Sequence, residues 1–190
     1  MSFMRKSEDV ANNNNLVRLM GGALYYLLAR FLPNSSFPFL GSYFNAIRRF
    51  CCRLIFSSID NNVKIDRKAY FGINNNISID YCSGLGENFH LQGADVVIGK
   101  YVMMAPNVTI LGNGHKFDSI EKPMMEQGAT PRGKLVVEDD VWIGRNVTIL
   151  PGCNRIGCGV VIGACSVVTK NIPAFEVWVG NPAHCIRKRN

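Results

Sequence analysis

At 190 residues the chain has room for one cored domain with an appendage, and not for two full domains. An apolar fraction of 47% against 18% charged residues excludes an intrinsically disordered chain. The net charge of +7, from 21 Lys and Arg against 14 Asp and Glu, favours an anionic partner: nucleic acid, a membrane surface or a phosphorylated small molecule.

Residues 1–15 are polar, end in an Asn run, and read as a frayed leader. From Leu16 to Phe56 aliphatic and aromatic residues dominate, punctuated by Arg18, Arg30, Arg48, Arg49 and Arg53. A membrane span wants ~20 mostly apolar residues, and neither apolar run here supplies them. Two amphipathic helices over roughly 16–31 and 41–56 fit better, with Pro33 and Pro38 breaking the chain between them. Two roles are open for the pair: capping the end of the following domain, or peripheral contact with a membrane surface, aromatics inward and Arg outward. The boundary between this segment and the next domain is set at residues 60 and 61. No secretory signal opens the chain, and the seven cysteines contain no C-x-x-C, so free thiols in a reducing cytosol are expected. With only His90, His115 and His184 available and the cysteines scattered, no metal site is expected.

From Ile65 a period of six begins. Aliphatic residues recur at Ile65, Phe71 and Ile77; at Ile98, Met104 and Ile110; at Val137, Ile143 and Ile149; and at Ile156, Ile162 and Val168. A Val, Ala or Ser often stands four positions on, as at Ala69, Val102, Val108, Val141, Val147, Val160 and Ser166. A hexapeptide period means an all-β fold, a parallel β-helix. Each unit supplies one short strand and one bend, so three units should close a triangular coil of about 18 residues, with inward aliphatics stacked at strand spacing. The register departs at Ile77–Leu85, Leu91–Ile98 and Ile149–Ile156, read as small corner insertions. One long excursion, 112–134, interrupts it and carries Gly112, Gly114, His115, Lys116, Asp118, Glu121, Glu126, Gly128 and Arg132. Long structureless loops are uncommon and usually functional, which puts the chemistry here.

Three later stretches resemble the signature of the hexapeptide-repeat acyltransferases, closest to the galactoside, maltose and polysaccharide O-acetyltransferase branch. They are Val136–Gly144 running on through Ile149-Leu150-Pro151-Gly152; Ile162–Pro173; and Gly180-Asn181-Pro182-Ala183-His184-Cys185-Ile186-Arg187. The resemblance covers about Ile65 to Arg189. It implies a left-handed coil, against the usual hand of parallel crossovers, a homotrimer, and acetyl-CoA as co-substrate in the groove between neighbouring helices. By motif position it makes His115, in Asn113-Gly114-His115, the catalytic residue. The chemistry agrees: acetyl transfer from a thioester to an alcohol needs a base near neutrality, and an N–H donor for the oxyanion. Asp118 and Glu126 are the loop's candidates for orienting the imidazole.

For coenzyme A, the resemblance points to Trp142 beside the acetyl group; to Gly144, Ala164 and Thr169 along the pantetheine; and to Lys170 and Arg187 near the phosphates. Each also has a plainer role in repeat geometry or solvation. Arg145 and His184 depart from the family pattern at two of these places. The expected reaction is acetyl transfer to a hydroxyl of a sugar or polysaccharide precursor. Serine or chloramphenicol-type acceptors, a zinc carbonic anhydrase of the gamma type and a non-catalytic trimer are the alternatives. A nucleic-acid partner is not expected, since no recognisable module accompanies the positive charge.

Overall fold

The computed structural model describes residues 15–190; the polar leader, apart from Asn15, lies outside the described residues. Two helices come first, α1 (Asn15–Leu27) and α2 (Gly41–Ile55), with a 3-10 turn at Ala29–Phe31 between them. Short strands follow, grouped by circuit: β1 (Ser58–Ile59) and β2 (Lys64–Ile65); β3 (Ile77–Ile79), β4 (Gly84–Leu85) and β5 (His90–Gln92). Next come β6 (Ala94–Ile98), β7 (Met103–Met104) and β8 (Thr109–Leu111), then β9 (Gly133–Val137), β10 (Trp142–Ile143) and β11 (Thr148–Ile149). The last are β12 (Arg155–Ile156), β13 (Val161–Ile162) and β14 (Val167–Val168), then β15 (Glu176–Gly180) and β16 (Ala183–Lys188).

The chain visits three faces in fixed rotation, and each strand pairs in parallel with its equivalent one circuit away. The first face is β1-β3-β6-β9-β12 and the third is β5-β8-β11-β14. The second runs from β2-β4 into β7-β10-β13-β15, the two parts joined where the Gly84 N–H donates to the Val102 carbonyl at 3.1 Å. Aliphatic columns fill the interior. Ile79, Ile98, Val137, Ile156 and Ile172 stack on the first face, while Leu91, Ile110, Ile149 and Val168 stack on the third, all buried. The residues expected beside them, Ala69, Val102, Val108, Val141, Val147, Val160 and Ser166, are buried too.

The circuit is longer than the expected 18 residues. Trp142 pairs with Val161 and Thr148 with Val167, a step of 19. The nineteenth residue enters at one corner only, between the third face and the first: Leu91 to Ile98 and Ile149 to Ile156 take seven there, Val168 to Ile172 takes four, and the steps across the other two corners take six. The slip read between Ile77 and Leu85 belongs to this corner as well. Ile79, not Ile77, pairs with Ile98, so Ile79 to Leu85 is a normal six and the insertion lies at 72–76. The other two corners are tight turns whose second residue has a positive φ, as at Tyr101 (57°), Asn107 (62°), Asn146 (57°) and Cys165 (62°). Asn is suited to that conformation, and Asn88, Asn107 and Asn146 form a side-chain ladder along one edge, at 3.0 and 2.9 Å.

The helices close the first end of the stack. Tyr25 of α1 and Phe56 after α2 both pack on Phe71, with ring centroids 4.7 Å apart in each case. The helices cross at Gly21, where a Cβ would stand 2.6 Å from that of Leu54. Arg48 of α2 is fully buried; its Nε donates to the Ile65 carbonyl at 2.6 Å and its Nη1 to those of Leu32 and Pro33 at 3.2 and 3.0 Å. At the other end, β16 turns back antiparallel on β15, a hairpin outside the hexapeptide pattern.

Candidate active site

The long excursion leaves from the same corner that takes every other insertion, between β8 and β9. That corner varies in length from circuit to circuit, whereas the other two repeat one tight turn. Glycines permit the departure: a Cβ on Gly112 would stand 2.3 Å from that of Ala94, and one on Gly133 would stand 2.5 Å from the Gly112 carbonyl oxygen. The base of the excursion is a short antiparallel ribbon. The Thr130 N–H donates to the Gly114 carbonyl at 2.8 Å, the Lys116 N–H to that of Gly128 at 2.9 Å, and His115 bridges Ala129. The Thr130 hydroxyl accepts from the Gly114 N–H at 2.9 Å, fixing the residue before the histidine. Farther out, Gln127 donates to the carbonyls of Ser119 and Lys122 at 2.8 and 3.0 Å and accepts from the Ser119 N–H. His115 itself is exposed, and no hydrogen bond joins its ring to Asp118 or Glu126.

Beside the ribbon lies an open cleft of about 630 Å³. Leu19 and Tyr26 of α1 form one wall, Tyr70 and Asn75 another, and Gln92, Asn113 and Arg132 the side toward the excursion. Asn113 stands two residues before His115. Arg132 ties the excursion's return strand down: its Nε pairs with Asp95 at 3.0 Å, and its Nη2 donates to the Asn75 side chain. Asp95 in turn accepts from the Asn76 N–H at 3.0 Å, and Asn75 donates to the Phe71 carbonyl at 2.5 Å. Tyr26 accepts from the Phe71 N–H at 3.1 Å, and burial above all pushes its phenol up to about 12. Amides, a guanidinium and aromatic faces thus converge on one space at the base of the excursion, the kind of lining that orients a small polar molecule. The Asn74-Asn75-Asn76 run, breaking the hexapeptide pattern at this corner, was the sequence signal for this wall; the Arg132–Asp95–Asn75 connection had none.

The residues matched to coenzyme A do not all meet on one chain. Trp142 lies half exposed on the second face, flanked by Met103 and Val161. Gly144 and Ala164 sit at the edge between the second and third faces. There a Cβ on Gly144 would come within 2.6 Å of the Ala164 nitrogen, so close stacking of circuits demands glycine. Arg145 occupies the same column, its carbonyl accepting from the Cys165 N–H at 2.8 Å. Thr169 and Lys170 lie on the excursion's edge, two circuits farther along, with the Lys170 ammonium 5.5 Å from the Trp178 ring centre. Arg187 and His184 are exposed on β16. His90, on β5, stacks on Tyr70 with ring centroids 4.9 Å apart.

No family model matches the chain. A galactoside O-acetyltransferase of Lactococcus lactis is 38% identical over 141 residues, covering 72% of this chain and 65% of the relative. The chain therefore spans about two thirds of the length of that curated relative. Among solved structures, a galactoside acetyltransferase in complex with coenzyme A superposes with a TM-score of 0.71 at 28% identity, covering 96% of this chain and 85% of that one. A maltose O-acetyltransferase from Clostridium difficile 630 is 31% identical, with a TM-score of 0.56 over 94% of this chain and 90% of the other.

Proposed function

The chain belongs to the galactoside- and maltose-type hexapeptide-repeat acetyltransferases, and on that premise we propose that it is an acetyl-CoA-dependent O-acetyltransferase acting on a sugar or sugar-precursor hydroxyl, built as a left-handed parallel β-helix. The observation that carries this reading is the excursion itself. It is the one long break in the circuit among the described residues, and it is braced at its base by a ribbon and by Arg132. Its two ends, at Asn113, two residues before His115 in the chain, and at Arg132, line a cleft of amides and tyrosines. In that place the imidazole takes the proton of the acceptor hydroxyl as its oxygen attacks the thioester carbonyl. The thiolate leaves and recovers a proton from the imidazolium. The developing oxyanion calls for an N–H donor as well. Amide side chains and aromatic faces suit a polyhydroxylated acceptor, which needs many oriented hydrogen bonds and one apolar face.

Topology supports a trimer as the working unit. His115 springs from the edge between the third and first faces, whereas Gly144 and Ala164 lie on the edge between the second and third. A three-fold arrangement brings one chain's His115 edge to a neighbour's Gly144 edge, closing a groove in which the donor's pantetheine runs between two subunits. Trp142 would flank the acetyl end, and Thr169, Lys170 and Arg187 would serve the rest of coenzyme A. The test is His115→Ala. With the trimer and acetyl-CoA affinity retained, thiol release with sugar acceptors should fall ~100-fold or more. Undiminished turnover in the folded variant would remove His115 as the base.

A further inference from the structure

We propose that the outer surface of the N-terminal helices is a docking face for an anionic lipid bilayer. The inner side of α1 is spent on the fold: Gly21, Gly22 and Tyr25 are buried against α2, Ile73 and Phe71. Its outer side should then be polar, as on an ordinary surface helix. Instead Leu16, Met20, Leu24, Leu27 and Leu28 are all exposed large apolar residues, and α1 carries one charged residue, Arg18. Phe31, Tyr43, Ile47 and Phe50 extend the apolar surface through the 3-10 turn and onto α2. An apolar surface on this scale marks a binding surface rather than solvated chain.

The connection between the helices adds a second feature. In Phe37-Pro38-Phe39-Leu40, Phe39 is 97% exposed and holds a left-handed backbone, φ 61°. That conformation is disfavoured for an aromatic residue, and here it presents an unpacked ring to the outside. Among the described residues no helix is long and apolar enough to cross a membrane, so this surface would lie on a bilayer and not span it.

Charge selects the occupant. Between Val10 and Ile59 there is no Asp or Glu, while Arg18, Arg30, Arg49 and Arg53 accompany the buried Arg48. These four line the seam with the coil, each also donating to a coil group: in turn the Asn76 side chain, the Lys68 and Val63 carbonyls and the Asn61 side chain. The Arg30 guanidinium lies 5.3 Å from the Phe31 ring centre, and Arg53 follows Phe50 by one turn of α2. A second copy meeting this face through a two-fold axis would set arginine against arginine with no carboxylate between them. An anionic leaflet supplies both an apolar depth for Phe39 and the leucines and a negative surface for the arginines.

The test is flotation of the full chain with vesicles of phosphatidylcholine alone and of phosphatidylcholine with phosphatidylglycerol; it needs no acetyl-CoA, so it stands or falls apart from the enzymatic reading. The protein should float with the anionic vesicles, and added salt should weaken binding. Arg30→Gln with Arg53→Gln should weaken it by about fivefold per charge, about 25-fold together. Phe39→Ser, at a side chain that packs on nothing, should release the protein while its melting temperature and thiol release with a soluble acceptor stay unchanged. Equal flotation with neutral vesicles would overturn the charge argument. Failure to float with either would overturn the proposal, and a higher assembly that Leu27→Gln dissolves would then assign the face to another copy.

Discussion

Arg48 is the most demanding residue in the joint between the helices and the coil, and its removal gives a sharp test of how that joint is held. The guanidinium is fully buried, with no carboxylate among its hydrogen-bond partners. Desolvation lowers its pKa, countered in part by Tyr25 and Asp66. Two large effects oppose each other in Arg48→Met. Three carbonyls, of Ile65, Leu32 and Pro33, lose a charged donor, at ~1.5–3 kcal/mol each. Against this, several kcal/mol spent on burying an unpaired cation are recovered, and Met fills part of the volume. The net expectation is destabilisation by ~3 kcal/mol, a fall in melting temperature of roughly 6–12 °C for a chain of this size. Arg48→Lys should lose nearly as much, because a single ammonium cannot follow the fork that reaches three carbonyls. Scanning calorimetry at one fixed protein concentration measures both, the concentration held because assembly shifts the midpoint. Melting within 2 °C of the parent for Arg48→Met would show that the carbonyls rehydrate freely, and the joint would have to be assigned to the Tyr25–Phe56–Phe71 packing alone.

Arg132→Gln should raise the acceptor KM about five- to tenfold and leave the acetyl-CoA KM near its parent value, since the partly exposed pair with Asp95 braces the cleft and not the donor groove; steady-state kinetics in both substrates checks this. Arg187→Ala should raise the KM for acetyl-CoA more than it lowers kcat, and matter much less with a donor built on dephospho-CoA; an equal penalty with both donors would withdraw Arg187 from the phosphate. Tyr26 sets an alkaline limit. Its folded pKa of about 12 lies above the unfolded value near 10, so its contribution is complete below pH 10 and is lost as pH rises through 12. Melting curves between pH 8 and 11 should therefore fall less steeply for Tyr26→Phe than for the parent, with Tyr25, also raised by burial, supplying the slope that remains.

What the sequence makes legible here follows from how local each feature is. A hexapeptide circuit repeats the same small decision, one inward aliphatic and one bend, so Ile98, Met104 and Ile110 announce their faces without knowledge of the rest of the chain. The register at Ile77 shows where that fails. Ile77-Ser78-Ile79 offers two aliphatics of alternate parity, both buried, and only pairing with Ile98 in the next circuit decides which belongs to the column. The site divides in the same way. The excursion is visible because it breaks a period, but the groups that meet across it are far apart in the chain: Arg132 reaches Asn75 across 57 residues. The choice of corner is physical as well. Two of the three corners repeat one left-handed turn of constant length, and the third carries the seventh residue, the 72–76 loop and the His115 excursion alike. Function can be grafted onto this coil where the turn is loosest, and both walls of the cleft come from that one edge. The joint made by Arg48 then carries the third wall, Leu19 and Tyr26, to the same place. It follows that loosening α1 without touching the excursion should damage acceptor binding before it damages the chemistry at His115.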